Sequence, residues 1–124
     1  MTVAIPAEIS VRADPTLLSR ALGNLVRNAV RYTDVSHAIQ LTAVRHGADV
    51  SVTVEDDGPG VPPEALARLG EPFYRPETAR TRETGGAGLG LAIVRSSITA
   101  CGGEVHFSNR LPRGFRVELR LAAA

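Results

Sequence analysis

Residues 37–58 read HAIQLTAVRHGADVSVTVEDDG, and this stretch decides what kind of sheet the chain can build. Two runs rich in apolar and β-branched residues meet near Gly47, the pattern of two strands joined as a hairpin. A hairpin makes antiparallel neighbours, whereas parallel neighbours need a long crossover. Working outward, GEVHFSN (103–109) and FRVELRLA (115–122) form a second pair of strands towards the end of the chain. EISVRAD (8–14) alternates apolar and polar residues as a half-buried strand does. Between the strands lie a long helix within 14–33, a short one within DDGPGVPPEALARLG (56–70), and a second long one within LGLAIVRSSITACGG (89–103). The expected order is β-α-β-β-α-loop-α-β-β. It predicts an α+β architecture, an α/β sandwich with a mixed, mostly antiparallel sheet of about five strands on about three helices, and not a doubly wound parallel sheet.

Length and composition fit one domain with a core of its own. Net charge is +1 with no basic block, and aromatics make up only 4% of residues, which argues against a nucleic-acid partner. All the basic residues are arginine, so any cation that meets a phosphate here is a guanidinium and not the lysine of a P-loop. Cys101 is the single cysteine, which excludes an internal disulfide and suits a small core residue at a helix end. No apolar run is long enough to span a bilayer, and the N-terminus does not read as a signal peptide. Strand-like sequence directly after Met1 is what an excised domain would show.

The first long helix starts well: Asp14 suits the N-cap, Pro15 the first helical position, and the helix should run to about Tyr32. At 100° per residue Leu18, Leu22, Leu25, Val26 and Ala29 share a stripe roughly 100° wide. Arg20, Asn24, Asn28 and Arg31 lie opposite, within roughly 80° of one another. Arg20 and Arg27 suit a solvated face. Asparagine is a mediocre helix former because its amide competes for backbone partners. Two of them at i, i+4 in mid-helix fit either a surface or a face that lines something polar. An amide oxygen is a hard ligand suited to Mg²⁺.

VEDDGPGVP (54–62) ends an apolar strand on acids and then turns on Gly58 and Gly60. Asp-Gly and Pro-Gly explain a turn. An inward-pointing Asp56 would need hydrogen-bond donors, such as the exocyclic amine of adenine, and the glycines would let backbone approach a flat ring. GGAGLGL (85–91) is not a P-loop, because Leu91-Ala92 stand where Lys-Ser/Thr must be. Nor is it a dinucleotide fingerprint: from Gly86 the third glycine position is Leu91, and no strand leads in. It remains a glycine-rich helix entrance, with or without an anion at its free N–H groups. Residues 71–87 lack periodicity. Such a loop is functional or mobile, and Phe73, Tyr74 and Arg75 suit an anchored lid, while Arg80 and Arg82 suit solvent.

In this order NLVRNAVRY, DDGPG, EPFYR and GGAGLGLAIV resemble the N, G1, F and G2 boxes of the sensor histidine kinase ATP-binding domain. That domain belongs to the family shared with gyrase B, Hsp90 and MutL. The tract from DDGPGV to GGAGLGLAIV is most similar to envelope-stress sensor kinases of Gram-negative bacteria. The resemblance covers essentially the whole chain. It implies the Bergerat fold, with ATP between the helices under a flexible lid, and both ATP and Mg²⁺ as cofactors. By motif position it implies that Asn28 coordinates Mg²⁺ and that Asn24 lies close to the phosphates. Arg31 and Tyr32 would contact phosphate and nucleotide. Asp56 would bind the adenine amine, with Gly58 and Gly60 beside the ring. Phe73 would belong to the ATP site with the lid, Arg75 would reach the terminal phosphates, and Gly86, Gly88, Leu89 and Gly90 would supply phosphate-facing backbone.

The hydrolytic relatives carry Glu where this helix has Asn24, and an amide cannot act as their general base. The resemblance therefore implies ATP binding without efficient hydrolysis and transfer of the γ-phosphoryl group to another acceptor. In such kinases that acceptor is a His on a separate dimerisation domain. His37, His46 and His106 lack the acidic neighbour of the phosphoacceptor motif and are expected to be structural or surface residues. The dimerisation and sensor domains are thus expected outside this chain. Alone it would be a monomer unable to phosphorylate itself on the normal site. The parent would be a homodimer in the bacterial inner membrane, its catalytic part cytoplasmic, acting on a downstream response regulator. The alternatives kept open are an ATPase or clamp of the gyrase type, an anti-sigma-type serine kinase, and a nucleotide-sensing interaction module.

Overall fold

The hairpin forms in unbroken antiparallel register, from Ile39 opposite Asp56 to His46 opposite Asp49. It joins β2 (Ile39–His46) to β3 (Asp49–Asp56). The structure is a computed structural model and describes residues 2–32, 38–71 and 90–124. Beyond the hairpin lie β1 (Thr2–Ala4), β4 (Glu104–Asn109) and β5 (Phe115–Ala122), giving a five-stranded sheet in the order β1-β2-β3-β5-β4. Only β1 is parallel to its neighbour; β2, β3, β5 and β4 are antiparallel throughout. Among the described residues the helices are α1 (Pro15–Tyr32), α2 (Pro63–Leu66) and α3 (Gly90–Ala100). The expected mixed, mostly antiparallel sheet with helices is what the chain forms.

Alternation along the strands sorts the side chains by face. Val50, Val52 and Val54 of β3 and Phe115, Val117, Leu119 and Leu121 of β5 are buried in one cluster with Ala21, Leu25 and Ala29 of α1 and Val94 and Ile98 of α3. The other face carries polar cross-strand neighbours, including Glu104 opposite Arg120 and His106 opposite Glu118. Cys101 packs against the core cluster as a small half-buried residue. His46 and His106 are exposed, and His106 lies 3.3 Å from Glu104.

The helix ends follow from local chemistry. Asp14 Oδ1 accepts the N–H groups of Thr16 and Leu17 at 2.8 and 3.2 Å, and Pro15 is the first helical residue. α3 stops where the Gly103 N–H reaches Ile98 O and the Gly102 N–H reaches Thr99 O, both at 2.9 Å, with Gly102 at φ +78°. These are the paired bonds of a Schellman cap, which satisfy carbonyls that the helix leaves open.

Two expectations change. Residues 8–14 do not form a sheet strand. Ile9, Val11 and Ala13 do turn to the core, so the alternation is real. But β5 is already paired on both edges, by β3 and β4. The extended segment pairs with the last residue of β5 and the two after it, through a single bridge from Val11 to Ala123 flanked by Arg12 N–H to Ala122 O at 2.8 Å and Ala124 N–H to Ser10 O at 3.0 Å. The remaining strand is Thr2–Ala4, three residues alongside β2. The buried arc of α1 is also rotated. Ala21, Leu25 and Ala29 form its centre, while Leu18, Leu22 and Val26 are half-buried and line a shallow apolar groove with Pro15, Ser19 and Gly23. The rotation moves the core towards Asn24 and Asn28 and makes them its border. No helix among the described residues is long and apolar enough to cross a membrane.

Candidate functional site

Asp56 continues the row Val50, Val52, Val54, so the pleat turns its carboxylate to the helix-covered face, where it is 4% exposed. An ionised carboxylate at such a position needs compensating donors. Its Oδ1 accepts the Gly58 N–H at 2.8 Å, closing an Asx turn as the chain leaves the sheet. Asp56 thus ends an apolar strand as a fixed acceptor inside the sandwich.

The loop that follows is held from a distance. Arg110 Nη1–H donates to Asp56 O at 3.0 Å, and Arg110 Nε lies 3.0 Å from Glu55 Oε2. Arg113 Nε–H donates to Asp57 O at 2.8 Å and, more weakly, to Gly58 O at 3.4 Å. The Asn109 side chain makes a reciprocal pair with the Val61 backbone: Val61 N–H to Oδ1 at 2.9 Å, and Nδ2–H to Val61 O at 2.7 Å. The end of β4 and the turn after it therefore hold the strand end and the loop at Glu55, Asp56, Asp57, Gly58 and Val61. Gly60 is part of the same knot. Its φ is +75°, and a Cβ there would lie 2.7 Å from Asn109 Oδ1. The close approach of Asn109 thus calls for glycine here whatever else lies beside it.

On α1, Asn24 and Asn28 are half-buried, while Arg20 and Arg27 are exposed, which separates the asparagines from the solvated face. Asn24 Nδ2–H donates to Arg20 O at 2.9 Å, one turn back. Its Oδ1 lies 3.7 Å from where a Cβ on Gly90 would be. Gly90 is the first residue of α3. The amide oxygen of one motif thus stands beside the helix N-terminus of another, where backbone N–H groups and the helix dipole favour an anion. Among the described residues no group of three or more His, Cys, Asp or Glu could hold a metal. A cation here would take one amide oxygen together with ligand oxygens and water, a donor set that fits Mg²⁺.

Arg31 and Tyr32 form the end of α1. Phe73, Tyr74, Arg75, Arg80, Arg82, Gly86, Gly88 and Leu89, like His37, lie outside the described residues. The structure brings Asn24 to Gly90 and turns Asp56 and Gly58 into the buried end of β3. Asn109, Arg110 and Arg113 were not foreseen. Their partners lie 48 to 56 residues away in sequence, and NRLPRG (109–114) carries only an ordinary turn pattern.

Residues 13–124 match the family described as histidine kinase-, DNA gyrase B- and HSP90-like ATPase. The sensor protein VanS of Enterococcus faecium is 40% identical over 92% of this chain and 30% of its own length. The sensor histidine kinase CpxA of Escherichia coli K12 is 40% identical over 94% of this chain and 25% of its own. Among solved structures, full-length ShkA in complex with AMPPNP superposes with a TM-score of 0.81 at 35% identity, over 99% of this chain and 26% of that one. The chain therefore spans between a quarter and a third of the length of the relatives it matches.

Proposed function

This chain belongs to the histidine kinase-, DNA gyrase B- and HSP90-like ATPase family, and from that membership we propose that it is the ATP-binding catalytic module of a sensor histidine kinase. It binds Mg-ATP and hands the γ-phosphoryl group to a histidine on a dimerisation domain outside this chain. That histidine then supplies a response regulator. The parent is a homodimer anchored in a bacterial inner membrane, with this module on the cytoplasmic side.

The observation that carries the reading is the meeting of Asn24 with the start of α3. It supports a phosphate position between the two helices, bordered by a hard amide oxygen and the positive end of the α3 dipole. Asn28 lies one turn along the same half-buried edge and would hold the cation. Mg²⁺ supplies neutralisation of charge on the phosphate oxygens. Asp56, fixed by Gly58, would accept the adenine amine and so orient the nucleotide. Arg31 at the end of α1 and Arg75 would add charge at the terminal phosphates. Transfer then rests on positioning and electrostatics. Asn24 offers no base for water, which favours a kinase over the ATPase reading.

The test is labelled ATP with this chain alone and with a dimerisation domain carrying its histidine. Slow turnover alone and acid-labile label on the added domain are expected. Turnover of free ATP at ordinary enzyme rates, about 1 s⁻¹ or more, or acid-stable label on serine, would overturn the proposal.

A further inference from the structure

We infer that Asn109, at the end of β4, and Arg113, on the turn that leads to β5, are positioning residues for base recognition by Asp56. The inference rests on the reading of Asp56 as the adenine acceptor and adds what determines its aim. A carboxylate selects a base by the direction of its oxygens, and that direction is set by the backbone carrying it. Asp56 is the last residue of β3, paired with Ile39 and Phe115, so the sheet fixes the chain up to it but not beyond. On the other side, Asp57 to Val61 has no ladder of its own. Its carbonyls would ordinarily face water and leave the loop free to shift.

Here they are held by the turn. Arg113 donates to Asp57 O, and Asn109 accepts from and donates to Val61, at 2.7 to 2.9 Å. The Gly58 N–H that fixes Asp56 Oδ1 lies between these two ties. Gly114, at φ +118°, has its missing side chain replaced by the Asp56 carbonyl, so the turn also abuts the strand end itself. Arg113 is exposed and holds the loop through its guanidinium alone, so its contribution can be tested apart from core packing. Tightening a loop in its binding geometry raises selectivity by removing alternative placements of the acceptor.

The experiment measures Mg-ATP and Mg-GTP affinities of the chain by calorimetry, with thermal melts, for the parent sequence and for Asn109→Ala, Arg113→Ala, Arg113→Lys and Asp56→Asn. In Asn109→Ala and Arg113→Ala, ATP affinity should fall about 10-fold and about 3-fold, with GTP affinity nearly unchanged, so the ATP:GTP preference narrows. Arg113→Lys, which keeps a cationic donor, should recover most of that preference. A fall of both affinities together, in step with the melting temperature, would mean a structural role and overturn the inference. A full preference in both turn variants while Asp56→Asn loses it would overturn the inference and leave the Asp56 reading standing. A preference that survives Asp56→Asn, or no preference in the parent sequence, would remove the Asp56 reading and the inference with it. If Asn109→Ala does not fold, the Arg113 pair decides.

Discussion

The asparagine edge of α1 and the loop from Asp56 to Val61 are both proposed to meet nucleotide, and they are made rigid in opposite ways. Asn24 and Asn28 ride on a helix that is fixed by its own ladder and by Ala21, Leu25 and Ala29 beneath it. The Asn24 side chain bonds within its own helix, Nδ2–H to Arg20 O. The loop has no ladder and is held by Asn109, Arg110 and Arg113 from a turn far along the chain. One region carries its order in local sequence; the other borrows it. Changes at the edge should therefore alter ligand binding with little effect on folding, whereas a change at the buried part of the knot, Gly114, should also cost stability.

The largest expected effect tests the borrowed side. Gly114→Ala puts a Cβ into the Asp56 carbonyl at a backbone angle that L residues rarely adopt. Strain and overpacking together should cost about 3–5 kcal/mol in urea unfolding. A loss near the surface average of about 0.5 kcal/mol would show that the turn and the strand end can part easily. The contrast would then be one of degree.

Asn28→Ala tests the other side. Losing the proposed metal ligand should weaken Mg-dependent ATP binding at least about 100-fold, while stability changes by no more than about 0.5 kcal/mol. Titrations with and without Mg²⁺ check this. Unchanged Mg-ATP affinity would remove the metal role, and a large loss of stability would place Asn28 in the core instead of on its border.

The same contrast explains what could be read in advance. The Asp14 cap, the length of α1 and the β2–β3 hairpin depend on residues a few positions apart, and all three formed as their spacing indicated. The inward turn of Asp56 follows from period-two alternation after Val50, Val52 and Val54. The alternation in 8–14 was equally clear, but a half-buried extended segment needs a free strand edge to become a strand, and β5 has none to offer. That Gly60 also makes room for Asn109 could not be read in advance, because Asn109 is distant in sequence. Ala21 escaped the apolar stripe because a small residue announces close helix approach only once the neighbouring helix is in place.

The smallest expected effect concerns Asn24, and its sign matters more than its size. In mid-helix Asn is less favourable than Ala, and its bond back to Arg20 O is of the i−4 kind that slightly destabilises helices. Asn24→Ala should therefore raise stability by about 0.5 kcal/mol in urea unfolding. If the amide oxygen beside Gly90 orders the phosphates, the same substitution should slow transfer to a dimerisation domain by about 10-fold. A more stable and less active protein would mark Asn24 as a residue kept for chemistry at the expense of its helix. A more stable protein with full transfer would make it a border residue of the core and leave the proposed metal role of Asn28 as the functional reason for that edge. A less stable one would show that its contact with the start of α3 holds the two helices together, and the edge would then depend on distant partners just as the loop does.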